Sequence, residues 1–317
     1  MSLSVVVNLK SVPAPIVRQL VDLVSTRAPG AQVLQTQGVT EFRRFAATAA
    51  ARGVQRVVIA GGDGSFLAAV NALVGSGIEL GLLPLGSGND FARTFHLPND
   101  PADALDVALG RTVTAVDVGL IHCRDDGFRA VKFRFANIAE AGFGAHVVQL
   151  ADRSRRWVGR RHAFRAGILR ALRKLSAPRV RLFVDGVDMG NEPTANLIVG
   201  NAQYFGRGMR PLPQARVNDG LFDVVRMRNV SRFDIAKHSQ ALNGIPLDHP
   251  EVDYWRARRI EATSDEPVPI EADGDLIGWL PAAFQIEPGG MRFVVPGNAE
   301  IGWSGDPVGR RSVMGDS

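Results

Sequence analysis

The stretch Val57-Val58-Ile59-Ala60-Gly61-Gly62-Asp63-Gly64-Ser65 decides the fold of the first third of the chain. Four apolar residues in a row read as a strand buried on both faces. They empty into three glycines within four positions, and helical spacing resumes over Phe66 to Leu73. The glycines put no Cβ in a ligand's way and permit positive φ. Consecutive backbone amides can then turn toward one anion, helped by the N-terminus of the helix that follows. Asp63 runs against a pure anion cradle, because its charge repels what the amides attract. A divalent cation or a proton-transfer role resolves that conflict. A glycine-rich turn with an aspartate helix cap accounts for the same letters without a ligand.

Working outward, Leu80 to Leu85 repeats the arrangement, entering Gly86-Ser87-Gly88-Asn89-Asp90 before helical spacing from Phe91. Asn89 or Asp90 is placed to cap that helix. Upstream lie an apolar run (Leu3 to Leu9), a helix (Pro15 to Arg27), a strand (Ala31 to Thr36) and an alanine-rich helix (Glu41 to Arg52) ended by Gly53. Alternation with short connections predicts a parallel sheet with helices on its faces, and ligands of such sheets sit beyond the carboxyl ends of strands, where both loops fall.

After about Ala115 the character changes to short strands broken by Gly, Pro and Asn-Asp turns: Val131 to Phe135, Arg179 to Leu182, Ala195 to Val199, Leu221 to Met227, Arg259 to Thr263, Val268 to Ala272, Ala283 to Ile286 and Met291 to Val295. These predict an antiparallel sandwich interrupted by one helix near Arg155 to Leu175. The expected organisation is an α/β domain over residues 1–117 and a β-sandwich domain over 118–296. Residues 297–317 either rejoin the first domain or, from Gly305, fray as a tail.

At 317 residues, 45% hydrophobic and 22% charged, the chain suits two globular domains. No apolar run approaches the roughly 18 residues of a membrane span. Met1-Ser2-Leu3-Ser4 lacks a charged leader, so a cytoplasmic protein is expected. The single cysteine, Cys123, excludes an internal disulfide and a cysteine-based zinc cluster. A net charge of +5 is too mild to indicate a nucleic-acid partner, and four lysines among 37 basic residues leave an arginine bias that codon usage explains. Gly-Lys-Ser/Thr and Asp-Phe-Gly are both absent, which removes the P-loop and protein-kinase architectures. Gly142-Phe-Gly144 is too short for a dinucleotide fingerprint, and the histidines show no metal-ligand spacing.

Residues 152–175 carry nine Arg/Lys and one His against one acid, with Trp157, Phe164, Ile168, Leu172 and Leu175 at helical spacing. Such a basic amphipathic helix (153–175) suits an anionic membrane interface. It equally suits a surface helix packed on the sandwich through its apolar stripe.

Gly61-Gly-Asp-Gly-Ser65 together with Pro84-Leu-Gly-Ser-Gly-Asn-Asp-Phe-Ala-Arg93 resembles the signature of the diacylglycerol kinase catalytic-domain family, which includes bacterial lipid kinases and sphingoid-base kinases and is distantly related to NAD kinases. Asn8-Leu-Lys-Ser11, Gly200-Asn-Ala-Gln-Tyr-Phe-Gly206, Asn218-Asp-Gly-Leu221 and Ala272-Asp-Gly-Asp275 resemble further family blocks in the same order. The resemblance implies an ATP-dependent lipid kinase that uses Mg2+ and acts on a lipid hydroxyl, foremost that of diacylglycerol. It works at a membrane surface from the cytoplasmic side, with a homodimer left open. It implies that Asn8, Lys10, Thr36, Gly61, Gly62, Asp63, Gly64, Ser65, Gly86, Ser87 and Asn89 hold ATP. Asp63 then serves magnesium and phosphoryl transfer, and Asp275 is the general base. Asp219, with carbonyls near Arg216 and Leu221, holds a structural cation, while Asp90 and Asp117 join a second ion or water network. Two departures stand out: Leu67-Ala68 replaces the family's Asn-Glu, and Asp275 replaces its Glu. Without the resemblance, Asp273-Gly274 and Asp219-Gly220 are ordinary turns. A sphingoid-base or NAD kinase and a non-enzymatic nucleotide or lipid sensor remain as alternatives.

Overall fold

The computed structural model describes residues 2–237 and 249–297, with the side chains of 154–165 and 235–237 outside that description. The first half alternates β1 (Leu3–Asn8), α1 (Ala14–Arg27), β2 (Gln32–Thr36), α2 (Val39–Ala49), β3 (Arg56–Gly61), α3 (Asp63–Leu73), β4 (Glu79–Pro84), α4 (Asp90–Thr94) and α5 (Pro101–Leu109). Strands dominate afterwards: β5 (Val113–Arg124), β6 (Ala130–Phe135), β7 (Ile138–Gly142), then α6 (Phe143–Arg173), β8 (Arg179–Val184), β9 (Val187–Pro193), β10 (Asn196–Gly200) and β11 (Phe222–Met227). The described chain continues through α7 (Arg232–Lys237), β12 (Val252–Ala257), β13 (Arg259–Thr263), β14 (Pro269–Ala272) and β15 (Asp275–Val294).

Strands β2, β1, β3 and β4 lie side by side and all parallel. The apolar runs of β1, β3 and β4 are buried almost throughout, because helices cover both faces. Since β1 has β2 on one side and β3 on the other, the chain reverses its direction of travel at β1/β3, which opens a crevice beyond their carboxyl ends. The second half is antiparallel and builds two layers. Strands β14, β7, β10, β11 and β12 form one layer, and β5, β6, β8, β13 and β15 supply the other side of a shared apolar core. The α/β-plus-sandwich expectation therefore holds.

Strand β15 joins the halves. It pairs with β14 and β5 antiparallel, then with β4 parallel at Arg292↔Glu79 and Phe293↔Leu80. The strands expected separately at Ala283 to Ile286 and Met291 to Val295 are parts of this one strand, which is bulged between Glu287 and Met291. Phe293 also carries packing across the join. Phe66 of α3 and Phe91 of α4 stack at 4.4 Å, and both rings meet Phe293 edge-on at 5.6 and 5.1 Å. The two helices that follow the glycine loops are thereby fixed against the strand arriving from the sandwich. Residues 117 and 118 both fall inside β5, and residues 298–317 lie outside the described span.

Helix α6 begins at Phe143, a dozen residues before the expected Arg155. The signal was masked by Gly142 and Gly144, whose backbones the packing requires. Gly142 has φ +106°, and a Cβ on Gly144 would sit 2.1 Å from Glu140 Oε2. The far part of α6 returns to its start, since a Cβ on Gly167 would fall 2.7 Å from the Val147 carbonyl. Trp157 and Phe164, expected on an apolar stripe, lie among the undescribed side chains.

Candidate active site

The glycine loops at the ends of β3 and β4 touch at their α-carbons. A Cβ on Gly86 would lie 2.4 Å from Gly62 Cα, and one on Gly62 would lie 2.9 Å from Gly86 Cα. Only glycine permits that approach at either position. Asn89 closes the second loop on itself: its Oδ1 accepts the Gly86 N–H at 2.9 Å, and its Nδ2 donates to the carbonyls of Pro84 and Gly86.

Asp63 locks one loop to the other. Its Oδ2 accepts the Asn89 N–H at 2.7 Å and its Oδ1 the Asp90 N–H at 2.8 Å. The sequence suggested that Asp63 caps its own helix and that Asn89 or Asp90 caps the next one. In the structure Gly62 is the N-cap of α3 without a side-chain bond, and Asp63 serves the start of α4 instead. Asp90 in turn accepts the N–H groups of Arg207 at 2.9 Å and Gly208 at 2.7 Å. Its burial and the neighbouring Asp63 charge raise its pKa, against the pull of those two donors.

Asn8, Thr36 and Ser65 gather at the β1/β3 crevice together with Gly38. Asn8 Nδ2 donates to Ser65 Oγ at 2.9 Å, and Asn8 Oδ1 accepts the Lys10 N–H. The Lys10 amine lies against Gly38, at the start of α2. Gly61 has Ser65 pressed against it, Gly64 faces open space and Ser87 is exposed. The residues expected to hold a nucleotide thus line one continuous edge of the parallel sheet.

Beside that edge opens a cavity of about 390 Å³, within the range of small-molecule sites. Its floor is one face of β7, β10 and β11, where Ile138, Ile198, Val225 and Met227 alternate with residues of the sandwich core. Helix α6 forms a wall with Phe143, Val147, Val148 and Ala151, and the 205–211 loop forms another. Asp63 and Asp90 line the end nearest the glycine loops, with Asp273 and Gly274 of the β14–β15 turn in the same cavity.

Sequence reasoning singled out Asp275 on that turn and treated Asp273 as turn chemistry. The turn is there, with φ +48° at Asp273 and +90° at Gly274. Yet the Asp273 carboxylate also accepts the N–H groups of Ala136, Asn137 and Ile138 at 2.7, 3.0 and 3.0 Å. Burial, with some help from the Asp63 charge, pushes this group up to about 7 despite its three donors. Asp275, next to Gly274, opens to solvent on one side. Protein packed on its other side, together with the charge of Asp152, raises its pKa. Two further acids went unnoticed in the sequence. Glu140 and Glu271 stand opposite each other on β7 and β14, both 3% exposed and hydrogen-bonded together. The available signal was a single acid inside each of two otherwise apolar strand runs.

Asp117 and Asp219 stand apart from this cavity. Asp117 is buried and accepts the N–H groups of Gly289 and Gly220, both at 2.7 Å, so it ties β5 to the 218–220 turn and to the bulge of β15. Asp219 meets the guanidinium of Arg256, and Leu221 donates its N–H to Asp219 Oδ1 at 3.2 Å. A side-chain cation therefore already balances the carboxylate that the resemblance gives, with Arg216 and Leu221 carbonyls, to a structural metal. Each Asp219 oxygen nonetheless keeps a second lone pair, so the contact lowers the demand for an ion there without filling the site. Among the described residues no three potential His, Cys, Asp or Glu ligands converge. Magnesium needs no such cage, being held by one or two carboxylates and substrate phosphates. Asp63 fits that demand, because each of its oxygens accepts one N–H and keeps a second lone pair.

Residues 2–121 match the diacylglycerol kinase catalytic domain, and residues 137–295 match the YegS C-terminal NAD kinase beta sandwich-like domain. A protein of Mycobacterium tuberculosis named diacylglycerol kinase is 31% identical over 261 residues, covering 81% of this chain and 82% of that one. A Chromohalobacter salexigens protein named "Probable lipid kinase YegS-like" is 31% identical over 280 residues, covering 85% of each. Among solved structures, a diacylglycerol kinase from Bacillus anthracis superposes with a TM-score of 0.69 at 18% identity, over 94% of this chain and 98% of that one. Yeast NADH kinase complexed with NADH superposes at 0.54 and 11% identity, over 93% and 84%, a likeness of fold.

Proposed function

Because the chain belongs to the diacylglycerol kinase family and is by that membership a lipid kinase, we propose that it moves the γ-phosphoryl group of ATP onto a lipid hydroxyl, with diacylglycerol the first acceptor to test. The observation that carries this reading is the juxtaposition at the cavity mouth. Two interlocked glycine loops present helix N-termini at one end, an apolar chamber extends from them, and Asp273 and Gly274 of the β14–β15 turn line it, next in sequence to Asp275.

In the proposed reaction the phosphates lie against the loop backbone at Gly62 to Gly64 and at Ser87-Gly88, with the adenosine part toward the crevice of Asn8, Lys10, Thr36 and Ser65. Asp63, fixed by the N–H groups of Asn89 and Asp90, is the residue that would hold Mg2+. When bound, the ion offsets charge on the transferring group. The lipid oxygen attacks the γ-phosphorus, the bond to the bridging β–γ oxygen breaks, and ADP leaves. The hydroxyl proton passes to Asp275, whose proton affinity is raised by burial and by the Asp152 charge. Asp is one methylene shorter than the family's Glu, and one intervening water spans that difference. The apolar walls take the acyl part.

Among the described residues no helix is long and apolar enough to cross a membrane. Access to a bilayer substrate then falls to surface contact, for which the basic segment 153–175 is our candidate. Radiolabelled ATP tests the function against diacylglycerol, sphingoid base and NAD in parallel. Labelled lipid is the expected product. Label on NAD alone, or on nothing despite tight ATP binding, overturns the reading.

A further inference from the structure

The cavity wall holds a polar row that phosphoryl transfer does not use. On the face where Ile138, Ile198, Val225 and Met227 stand, β7 and β14 place Glu140 directly opposite Glu271, and β10 adds Asn196. Asn196 Nδ2 donates to Glu140 Oε1 at 2.7 Å, and the Gly274 N–H donates to Glu271 Oε2 at 2.8 Å. The two carboxyls hydrogen-bond to each other. Burial raises both pKa values, and Glu271 rises well above the usual range with Glu140 beside it.

A second observation is independent of these acids. Asn137 is 5% exposed and lines the same cavity, and its Oδ1 has no hydrogen-bond partner among the described residues. An orphaned buried acceptor calls for an explanation. Two buried carboxyls on an apolar sheet face call for another, since hydrophobic residues of similar size would hold a core at least as well. The unsatisfied capacity in this row is acceptor capacity, so the complementary group is a donor.

We infer that Asn137, Glu140 and Glu271 form a subsite that takes a second hydrogen-bond donor, a hydroxyl or an ammonium, carried by the lipid beside the hydroxyl that is phosphorylated. The inference rests on the cavity being the acceptor site and names which acceptors it favours. A site built to hydrogen-bond such a group rejects an analogue that lacks it, because its own buried groups are then left unpaired. Diacylglycerol offers one hydroxyl. A monoacylglycerol offers two, and a sphingoid base offers an ammonium as well.

The test compares kcat/KM for monooctanoylglycerol, sphinganine and dioctanoylglycerol in mixed micelles, with binding of the same three lipids measured by calorimetry without ATP. Two variants accompany the wild type. N137L is close in shape and removes the orphaned oxygen, while E140Q/E271Q keeps volume and the acceptor for the Gly274 N–H but removes the acid charge. The wild type is expected to favour a two-donor lipid over dioctanoylglycerol by about tenfold or more, with N137L bringing that ratio near one. A larger loss for sphinganine than for monooctanoylglycerol in E140Q/E271Q identifies the ammonium as the preferred source, and the reverse identifies the hydroxyl. A wild type without preference, or variants that keep its ratio, overturn the subsite while transfer itself upholds the kinase reading. Donor-dependent binding without transfer to any lipid sinks the kinase reading and leaves the subsite standing.

Discussion

Substituting alanine at Gly86 and, separately, at Gly64 asks whether the two glycine loops act as one machined surface. At Gly86 the added Cβ lands 2.4 Å from Gly62 Cα and 2.7 Å from Asn89 Oδ1. Non-bonded carbons rest at about 3.5–4.0 Å, so the loops must part by roughly 1.1–1.6 Å. The closer contact is backbone against backbone, which no side-chain rotation relieves, and Asn89 is itself pinned to the carbonyls of Pro84 and Gly86. Overpacking of this kind costs about 1–3 kcal/mol, and a displacement near 1 Å at a reacting centre lowers turnover by on the order of a hundredfold. At Gly64 nothing stands within 4 Å, and its φ is not positive. Alanine there is free of strain and gains about 1 kcal/mol of helix propensity at most, yet its methyl enters the space assigned to phosphate. G86A is therefore expected to lower both the melting temperature and kcat/KM. G64A should keep or raise the melting temperature while KM for ATP climbs about tenfold. Thermal melts and steady-state kinetics over an ATP series read both effects. A G86A protein with unchanged melting and turnover would refute the close-contact argument, and a G64A protein with unchanged KM for ATP removes the start of α3 from the nucleotide site.

Other perturbations separate structural from chemical roles. Asp63→Ala strips the acceptor from two N–H groups at the start of α4, so it should cost about 1–2 kcal/mol of stability besides abolishing turnover. Asp275→Ala should abolish turnover with melting unchanged, because Asp275 is exposed; retained wild-type rates remove it from the mechanism. The Glu140–Glu271 pair holds its proton more tightly when folded than when unfolded, with Asp273 as the nearby third acid. Its stabilising share is thus complete below the unfolded value of about 4.3 and is lost as pH rises through the raised folded values. The melting temperature of the wild type should therefore gain more on acidification from pH 8 toward pH 5 than that of E140L/E271L; parallel curves would contradict this.

Local features were legible in the sequence, and features set by register were not. The glycine loops, the strands that feed them and the Asp273-Gly274 turn all follow from residues a few positions apart. Asp63 shows the limit: its partners lie 26 and 27 residues away, so a helix cap read locally belongs to a different helix. Asp273 binds amides some 135 residues earlier, and Glu140 meets Glu271 only through the β7–β14 register. The two halves of β15 looked separate because Pro288-Gly289-Gly290 interrupts the apolar pattern where the strand bulges. The family motifs located the loop edge, but the acids of the cavity wall belong to no motif used in reading the sequence.

Charge is unevenly managed along the cavity, and this gives the site a direction. At the loop end, amides and helix N-termini favour an anion, and both carboxylates there are engaged by backbone donors. Within reach of the Asp63 charge, Asp273 is held by three N–H groups, while on the sheet face Glu140 and Glu271 hydrogen-bond to each other. No amide cradle comparable to the loops lies beside the Glu140–Glu271 row among the described residues, where the free capacity is for donors. A phosphate is therefore welcome at one end only. A neutral or cationic alcohol can lie along the whole chamber with its hydroxyl at the boundary. In the reaction proposed above, a phosphate added to that hydroxyl would stand near Asp63, which lines the loop end, and would lose the charge compensation of the departing nucleotide and its cation. Under that proposal the carboxylate that orders the loops would disfavour the product, and the geometry that admits the alcohol would also promote departure of its phosphate ester.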